Sequence, residues 1–453
     1  MIVFNKAEYD RESPNRNIIP LTAELDEQGR LEIGGCRLSH LAKRYGTPLY
    51  ILDEITLRAT CKAYFNALKK FYSALSLPLY ASKANSSKLL TALVAEEGFG
   101  IDVVSGGELL TALAGKMPAS RILLHGNNKS WQELALALDH GATIVVDNSH
   151  DLQIISELVG NRKLPVSLML RFTPNIECHT HEYIRTGKLD SKFGFGPEQI
   201  ESIFKKLLAC SWARITGLHA HIGSQIFELE PHRDLVGIMA DAIQLGRSMG
   251  HPIVDLNVGG GLGICYVSSD DPPSIQNWVK NIAKAVTVSC ERRKLSLPRL
   301  ICEPGRSVVA TAGVTLYTLG SQKHIPGMPS YLSIDGGMSD NPRPITYQSI
   351  YTAFLADYPT QKVIQEVILV GKHCESGDVL LKNLYLPKSK SGDILVVFAT
   401  GAYNISMSSN YNRVPRPASV IVFNGHADLI QLREQPEDLL FYDIVPPRLS
   451  SLC

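Results

Sequence analysis

The feature that most constrains this chain is a regular alternation of two patterns between residues 78 and 305. Eight short runs rich in β-branched residues are each followed, except the last, by a stretch whose apolar residues recur at helical spacing. The runs occupy residues 78–82, 100–105, 121–126, 143–148, 166–172, 215–223, 252–259 and 299–305. Such repeats predict a parallel sheet whose faces are covered by helices. Eight units in about 230 residues match a closed (β/α)8 barrel, and an open doubly wound sheet is the alternative.

The pattern changes after residue 306. Strand-like runs such as KVIQEVILVG, DVLLKNLYL and DILVVFATG are separated by turns rich in Gly, Pro and Asp, and helical spacing is scarce. We therefore predict an α/β chain in which a barrel domain, residues 46–308, is followed by an all-β region, residues 309–453.

Charge and cysteine usage argue against several classes of protein. The 45 Lys and Arg residues balance 44 Asp and Glu residues, so a net charge of +1 gives no field that would gather nucleic acid. No apolar run approaches the ~18 residues that span a bilayer, and the charged N-terminus is unlike a signal peptide. Nine scattered cysteines without a CxxC pair predict reduced thiols in a cytoplasmic protein.

Polar residues gather where the predicted barrel strands end, which is the face where barrel enzymes carry out their chemistry. They are Lys83, Asp102, His125, Arg171, His219, His221, Gly259, Gly260, Gly261, Glu303 and Arg306. Each alone has a simpler interpretation, as a solvated strand end, a hydrogen-bonded histidine or a tight turn. A lysine held among barrel walls, however, is desolvated, which lowers its pKa and leaves a nucleophilic amine. Together these residues predict an active site without a metal.

This set suits pyridoxal phosphate, which needs an amine, an anion cradle, a partner for its ring nitrogen and a surface for its ring. The glycine triplet would let backbone N–H groups approach a phosphate, because no Cβ intervenes, and Ser224 could add a hydroxyl. Glu303 could keep the ring nitrogen protonated, which makes the ring a strong electron sink. His221 could stack on the ring.

Eight motifs run in order from about residue 46 to about residue 420. They are YASKAN, GFGIDVVSGGEL, HAHIGSQ, VGGGLG, CEPGR, SIDGGMSDNPRPITY, GKHCESGD and GAYNISMSSNYN. The chain thereby resembles the diaminopimelate decarboxylase family, fold-type III pyridoxal-phosphate enzymes related to alanine racemase and ornithine decarboxylase. The resemblance implies a barrel with a β domain to which residues 1–45 contribute strands. It also implies conversion of meso-diaminopimelate to L-lysine and carbon dioxide, the last step of lysine biosynthesis.

The resemblance also assigns contacts with the cofactor. It makes Lys83 the Schiff-base lysine, places His221 over the ring and Glu303 at the ring nitrogen. Further cofactor contacts are implied for Asp102, Ser224, Gly259, Gly260, Gly261, Gly305, Arg306 and Tyr403.

Substrate contacts are implied for Arg306, Arg343, Tyr347, Glu375 and Tyr403, and Cys374 is implied as the proton donor. The chemistry of the substrate agrees, because its distal end keeps a carboxylate and an ammonium. Guanidinium groups pair with carboxylates, and Glu375 suits the ammonium. Ornithine or lysine would leave the arginines unpaired, at a cost of order several kcal/mol.

The HCESGD motif lies far in sequence from the barrel strands. In the family that the chain resembles, this motif reaches the active site of the partner subunit. The resemblance therefore implies a homodimer with two shared sites.

Three other interpretations remain open from the sequence. The pairs His179–His181 and His219–His221 have the alternate spacing that could bind zinc in a metal-dependent barrel hydrolase. A binding homologue that lost its chemistry is a second possibility, although Lys83, Glu303, Arg343 and Cys374 are all retained. The third is a related decarboxylase of another carboxylated or D-configured amino acid.

Overall fold

The computed structural model describes residues 4–159, 165–176 and 191–452. The chain divides into two compact units. The barrel unit holds Tyr9–Leu21 and the described part of Thr56–Thr311, and the β unit holds residues 4–8, Thr22–Ile55 and 312–452. Among the described residues, no helix combines the length and the hydropathy of a membrane span.

The barrel unit contains eight parallel strands that close on themselves. They are β5 (Ser76–Ala81), β6 (Gly100–Val103), β7 (Ile122–Leu124), β8 (Thr143–Val146), β9 (Val166–Arg171), β10 (Ala213–His219), β11 (Asp255–Asn257) and β12 (Arg299–Cys302). Ile301 of β12 pairs with Leu77 of β5, which closes the sheet. Each strand lies within or overlaps one of the predicted runs, so the barrel is confirmed and the open sheet is wrong.

The barrel strands are separated in sequence by helices, and one further helix precedes the first strand. They are α2 (Glu54–Phe71), which precedes β5, then α3 (Lys88–Glu96), α4 (Gly106–Ala114), α5 (Trp131–His140), α6 (Ser149–Val159), α7 (Ile200–Leu208), α8 (Glu230–Ser248), α9 (Ile275–Arg292) and α10 (Arg306–Val309). Four begin after a serine whose hydroxyl accepts an N–H from the first turn, namely Ser87, Ser105, Ser130 and Ser274. Each such cap stabilises a helix by about 1 kcal/mol.

The barrel interior is filled by apolar side chains from several strands. Leu79, Leu123, Val145, Met169 and Ile301 form one buried cluster. Each contributes roughly 1.5–3 kcal/mol by leaving water. Because this layer fills the interior, a site for reactive groups can form only at the ends of the strands.

The N-terminal segment is divided between the two units. Residues 9–21 belong to the barrel unit, although 1–45 was predicted to join the β domain. The reason is visible at Asn15, whose amide donates to the carbonyls of Gly263 and Pro273 and whose carbonyl accepts from Cys265 N. Leu21 N donates to Thr56 Oγ1. These long-range contacts leave no periodic signal in the sequence.

The β unit contains a small sheet and a large one. The small antiparallel sheet is β1 (Glu24–Leu25), β2 (Leu31–Ile33) and β3 (Cys36–Arg37), followed by α1 (Leu38–Tyr45). The large sheet contains β4 (Leu49–Asp53), β13 (Gly313–Lys323), β14 (Ser330–Ile334), β15 (Ala353–Leu355), β16 (Gln365–Val370), β17 (Val379–Leu386), β18 (Ile394–Phe398), β19 (Ala418–Phe423) and β20 (His426–Gln431). A short helix, α11 (Arg343–Tyr347), lies between β14 and β15.

Strand β4 lies on the other side of the domain boundary from the one predicted, because the barrel domain was predicted to begin at residue 46. It pairs antiparallel with β13 and parallel with β19, so Leu49–Asp53 belongs to the β unit and not to the barrel. All five of its residues are buried. A run that is buried on both faces looks the same in sequence whichever sheet it joins, and the boundary was therefore set too early.

Candidate active site

Lys83 follows β5 in a one-turn helix, Ser82–Ala84. Ala81 N donates to the carbonyl of Pro304, and a Cβ at Gly305 would lie 2.8 Å from Ala81 Cβ. The end of β5 and the turn after β12 therefore lie in direct contact, and a side chain at 305 would push them apart. Lys83 itself is exposed, so the predicted desolvation of its amine by the barrel walls is wrong for the chain alone.

Glu303 follows β12 and is only 7% exposed. Asn257 Nδ2 donates to its Oε1 at 2.6 Å, and His219 Nε2 lies 3.1 Å from Oε2. His125 Nε2 lies 3.0 Å from Oε1. Two of the roughly four lone-pair positions of the carboxylate thus accept hydrogen bonds from protein donors, and the His125 ring lies beside it at ion-pair distance.

Burial would raise the pKa of Glu303, but His125 and His219 hold it well below its usual value. Burial in turn lowers the pKa of His219 to about 4, so at neutral pH its ring is neutral and donates through Nε2–H. Glu303 is therefore an ionised carboxylate kept inside the protein by hydrogen bonds.

Asp102, the residue before the end of β6, is 5% exposed. Burial, and then the charge of Glu303, raise its pKa to about 7, although His125 and Lys83 oppose the shift. Its Oδ1 is buried and has no hydrogen-bond partner among the described residues. A buried carboxyl oxygen without a donor is costly, and a bound group with a donor at this end of the barrel would relieve that cost.

His221 and the glycine triplet form one packed turn. Gly260 N donates to His221 Nδ1 at 3.2 Å, and burial followed by the nearby Lys83 charge lowers the pKa of His221 well below its usual value. Gly259 has φ +67, which favours glycine, and a Cβ at Gly260 would lie 2.3 Å from the Glu303 carbonyl oxygen. The turn therefore needs glycine for close approach to the Glu303 backbone.

Two of the three N–H groups predicted to hold a phosphate are already used within the turn. Gly260 N is bound to His221, and Gly259 N donates to Asn257 Oδ1 at 2.9 Å. Ser224 and Arg306 offer the other predicted anion contacts. Arg306 is buried, and its Nε and one terminal nitrogen donate to Ser224 Oγ at 3.2 and 3.0 Å. Its other terminal nitrogen donates to the Tyr266 hydroxyl at 2.6 Å.

These residues fit the predicted cofactor. They combine an accessible amine at Lys83, an ionised buried carboxylate at Glu303, an unpaired oxygen at Asp102 and a cation with a hydroxyl at Arg306 and Ser224. An aldehyde, a protonated ring nitrogen and a phosphate are the complementary groups.

The other predicted residues lie in the β unit. Arg343 begins α11 and is buried, with its guanidinium 5.0 Å from the centre of the Tyr347 ring and 5.3 Å from that of Tyr403. One terminal nitrogen donates to Ser349 Oγ at 3.2 Å. Tyr403 has φ +63, an uncommon value for a tyrosine that often marks a functional position. Two aromatic faces and a hydroxyl thus hold this guanidinium in place.

Cys374 and Glu375 lie in the loop between β16 and β17, and both are exposed. Their neighbour His373 is buried, and its Nε2 lies 2.8 Å from Ser339 Oγ. Asp378 accepts the N–H of His373 at 3.0 Å and that of Met338 at 2.7 Å. The loop is therefore fixed at its base, while the thiol and the carboxylate face outward.

Several structural contacts were missed from the sequence. Asn257 was not considered, although it lies two residues before the glycine triplet, where a strand-end side chain could have been suspected. His125 was noted as a strand-end residue but given no role, and His219 was given a role only as a possible zinc ligand. Tyr266 gave no signal, because its loop position is fixed only by folding.

The metal interpretation rests on histidines that the structure treats differently. His179 and His181 lie outside the described residues. His219 faces Glu303, while His221 binds the glycine turn. Ligand atoms of His125, His219 and Glu303 lie within 4.8 Å of one another, as in a metal site. The hydrogen bond between His219 and the carboxylate, and the ion-pair contact of His125 with it, account for that proximity.

Comparison with known proteins identifies the family. Residues 57–310 match the family model of the pyridoxal-dependent decarboxylases, pyridoxal binding domain. The chain is 50% identical to the diaminopimelate decarboxylase of Synechocystis sp., over 97% of this chain and 95% of that protein. It is 43% identical to the Bacillus subtilis diaminopimelate decarboxylase, over 93% and 97% of the two chains.

A solved structure agrees with the sequence comparison. The crystal structure of M. jannaschii diaminopimelate decarboxylase in co-complex with L-lysine is 33% identical, with a TM-score of 0.89 over 94% of this chain and 99% of that one. A barrel hydrolase has no support from these relatives. The chain belongs to the pyridoxal-dependent decarboxylases and, within them, to the diaminopimelate decarboxylase family.

Proposed function

We propose that this protein decarboxylates meso-2,6-diaminopimelate to L-lysine and carbon dioxide with pyridoxal 5'-phosphate, the last step of lysine biosynthesis. The observation that carries the proposal is the ionised, buried Glu303 beside the glycine turn and the turn that bears Lys83, in a chain of this family.

The barrel residues bind and orient the cofactor. When bound to Lys83, pyridoxal phosphate supplies an electron sink for the electron pair that remains as carbon dioxide leaves. Glu303 would accept a hydrogen bond from the ring nitrogen and thereby favour its protonated form. Ser224 and Arg306 would bind the phosphate, and the glycine turn would let the backbone come close to it. His221, neutral because of its lowered pKa, offers an uncharged ring surface.

The β-unit residues select the substrate. Arg343 is held between Tyr347 and Tyr403 and pairs with the distal carboxylate, and Glu375 pairs with the distal ammonium. Ornithine and lysine lack that carboxylate, so they cannot form this guanidinium–carboxylate pair.

Cys374 supplies the proton that replaces the lost carboxylate. The carbon–carbon bond breaks, carbon dioxide departs, and the Sγ–H of Cys374 transfers its proton to the carbon that held the carboxylate. Water then returns a proton to the thiolate. Exposure of Cys374 in a single chain suits a donor that works in the site of a second subunit.

We further propose a homodimer with shared sites and a cytoplasmic location. The scattered cysteines support the latter, and those within the described residues are all free thiols. Mixing Lys83→Ala with Cys374→Ala subunits tests the shared sites. Statistical exchange should restore about a quarter of the wild-type activity, because half of the dimers then hold one intact site out of two. Two inactive variants that stay inactive after subunit exchange would contradict shared sites.

The activity itself is tested with purified protein loaded with pyridoxal phosphate. Carbon dioxide and L-lysine should form in equal amounts from meso-diaminopimelate. Ornithine and lysine should react at least about 10⁴-fold more slowly in kcat/KM, because they cannot form the carboxylate pair with Arg343. Faster turnover of another carboxylated or D-configured amino acid would assign a different substrate to the same cofactor site.

A further inference from the structure

The motif GAYNISMSSNYN contains Asn412, which has no role in the site proposed above. Asn412 lies in the one-turn helix Tyr411–Arg413 with φ +54, and the next residue, Arg413, has φ +56. Two consecutive left-handed residues that are not glycine are unfavourable, although Asn tolerates this conformation better than most. Backbone outliers of this kind concentrate where function requires them.

The side chain of Asn412 reaches the loop that carries Cys374. Its Oδ1 accepts the backbone N–H of Cys374 at 3.1 Å and lies 3.3 Å from His373 Nδ1. Since an amide oxygen only accepts, His373 carries its proton on Nδ1 and accepts the Ser339 hydroxyl at Nε2. One oxygen thus fixes both the peptide that leads into Cys374 and the imidazole beside it.

The rest of the loop is fixed from below by Asp378. Besides its two backbone hydrogen bonds, its carboxylate fills the space where a Cβ at Gly337 or Gly371 would stand, at 2.5 and 2.1 Å from Oδ2. These contacts hold the loop at His373 and at Met338 of the adjoining turn. The contact at Cys374 itself is made by Asn412.

We propose that Asn412 is a positioning residue that aims the thiol of Cys374 at the carbon that takes up the proton. The inference rests on the proposed function, in which Cys374 is the acid. A general acid must lie within hydrogen-bond reach of its acceptor, and a displacement of about 1 Å can cost about 10²-fold in rate.

Three variants of the holoenzyme distinguish the effect of the Asn412 hydrogen bond to Cys374 from the effect of the left-handed turn at residue 412. Asn412→Gly keeps the left-handed conformation but removes the acceptor, whereas Asn412→Asp keeps an acceptor oxygen. Asn410→Ala is the matched control, because the Asn410 amide binds Val414 O and Glu434 Oε2 in the same turn and makes no hydrogen bond to residues 373–374. Asn412→Gly should lower kcat about 10-fold with KM and the visible absorbance of the cofactor unchanged. Asn412→Asp should keep kcat within about threefold of the wild-type value. Asn410→Ala should have the kcat of the wild type.

A double variant distinguishes positioning from a structural role. In the Cys374→Ala background, Asn412→Gly should cause no further loss, because the thiol it aims is gone. An additive loss, a wild-type kcat for Asn412→Gly, or an equal loss in Asn410→Ala would overturn the proposal while the role of Cys374 stands. Wild-type turnover of Cys374→Ala alone would remove the acid role first, and the positioning role with it.

Discussion

The barrel residues and the β-unit residues of the proposed site differ in how completely a single chain fixes them. Around Glu303, Asn257 and His219 donate to a carboxylate that is 7% exposed, and His125 lies at ion-pair distance. The glycine turn beside it has no room for a methyl group. Cys374 and Glu375, by contrast, are exposed, and only the base of their loop is buried.

This difference separates two tasks. Holding an ionised carboxylate against a ring nitrogen requires a dry, preformed site, because water would compete for its hydrogen bonds. Delivering a proton requires only an accessible thiol in a fixed direction. The barrel unit carries the first set of residues and the β unit the second, which suits a site completed from another subunit.

The largest effect is expected at Lys83. Lys83→Ala should abolish both turnover and the visible absorbance of the bound cofactor, because the covalent attachment is lost. Lys88→Ala, at an exposed lysine five residues later, is the control and should behave as the wild type. Turnover that survives in Lys83→Ala would remove the covalent role.

Cys374→Ala tests the β-unit residues of the proposed site. Cofactor absorbance should stay as in the wild type, while kcat falls by about 10²–10⁴-fold, the usual contribution of a general acid. Cys210→Ala, at a half-buried thiol of the barrel unit, serves as the control. An unchanged kcat would mean that another acid supplies the proton.

The two units share one electrostatic property, which a pH series can measure. Burial raises the pKa of Asp340 in the β unit to about 7, as it does for Asp102 in the barrel. The folded state therefore holds a proton that the unfolded state has released, so stability falls as pH rises from about 4 to about 7. The free energy of unfolding of the wild type, relative to Asp340→Asn, should decline by a few kcal/mol over this range. Urea titrations at several pH values check this, and a difference independent of pH would contradict it.

The smallest expected effect compares two glycines. A Cβ at Gly260 would lie 2.3 Å from the Glu303 carbonyl oxygen, whereas at Gly377 it would meet only Glu375 Oε1 at 3.8 Å. Gly260→Ala should lower the free energy of unfolding by about 1–3 kcal/mol. Gly377→Ala should change it by less than about 0.5 kcal/mol. Equal effects would mean that the two loops are equally rigid.

The sequence could predict features that depend on neighbouring residues, but not those that depend on residues far apart in the chain. The barrel strands and Glu303 leave local signals, because a buried run and a polar strand end are patterns of neighbouring residues. The pairing of β4 with β13 and β19 leaves none, since Leu49–Asp53 is uniformly apolar up to Asp53 and partner choice is not local. Likewise, the hydroxyl of Tyr266 reaches Arg306 across 40 residues of sequence. The prediction that Lys83 is desolvated was wrong, because the burial of a side chain depends on which residues pack over it. The sequence around Lys83 does not contain that information.

The most direct test of the cofactor site is to fix the bound pyridoxal phosphate to the protein by borohydride reduction and then to map the labelled peptide by mass spectrometry. We expect one pyridoxyl phosphate group per chain, on the peptide that contains Lys83. A label on a different lysine, or none in a protein that still decarboxylates, would contradict it.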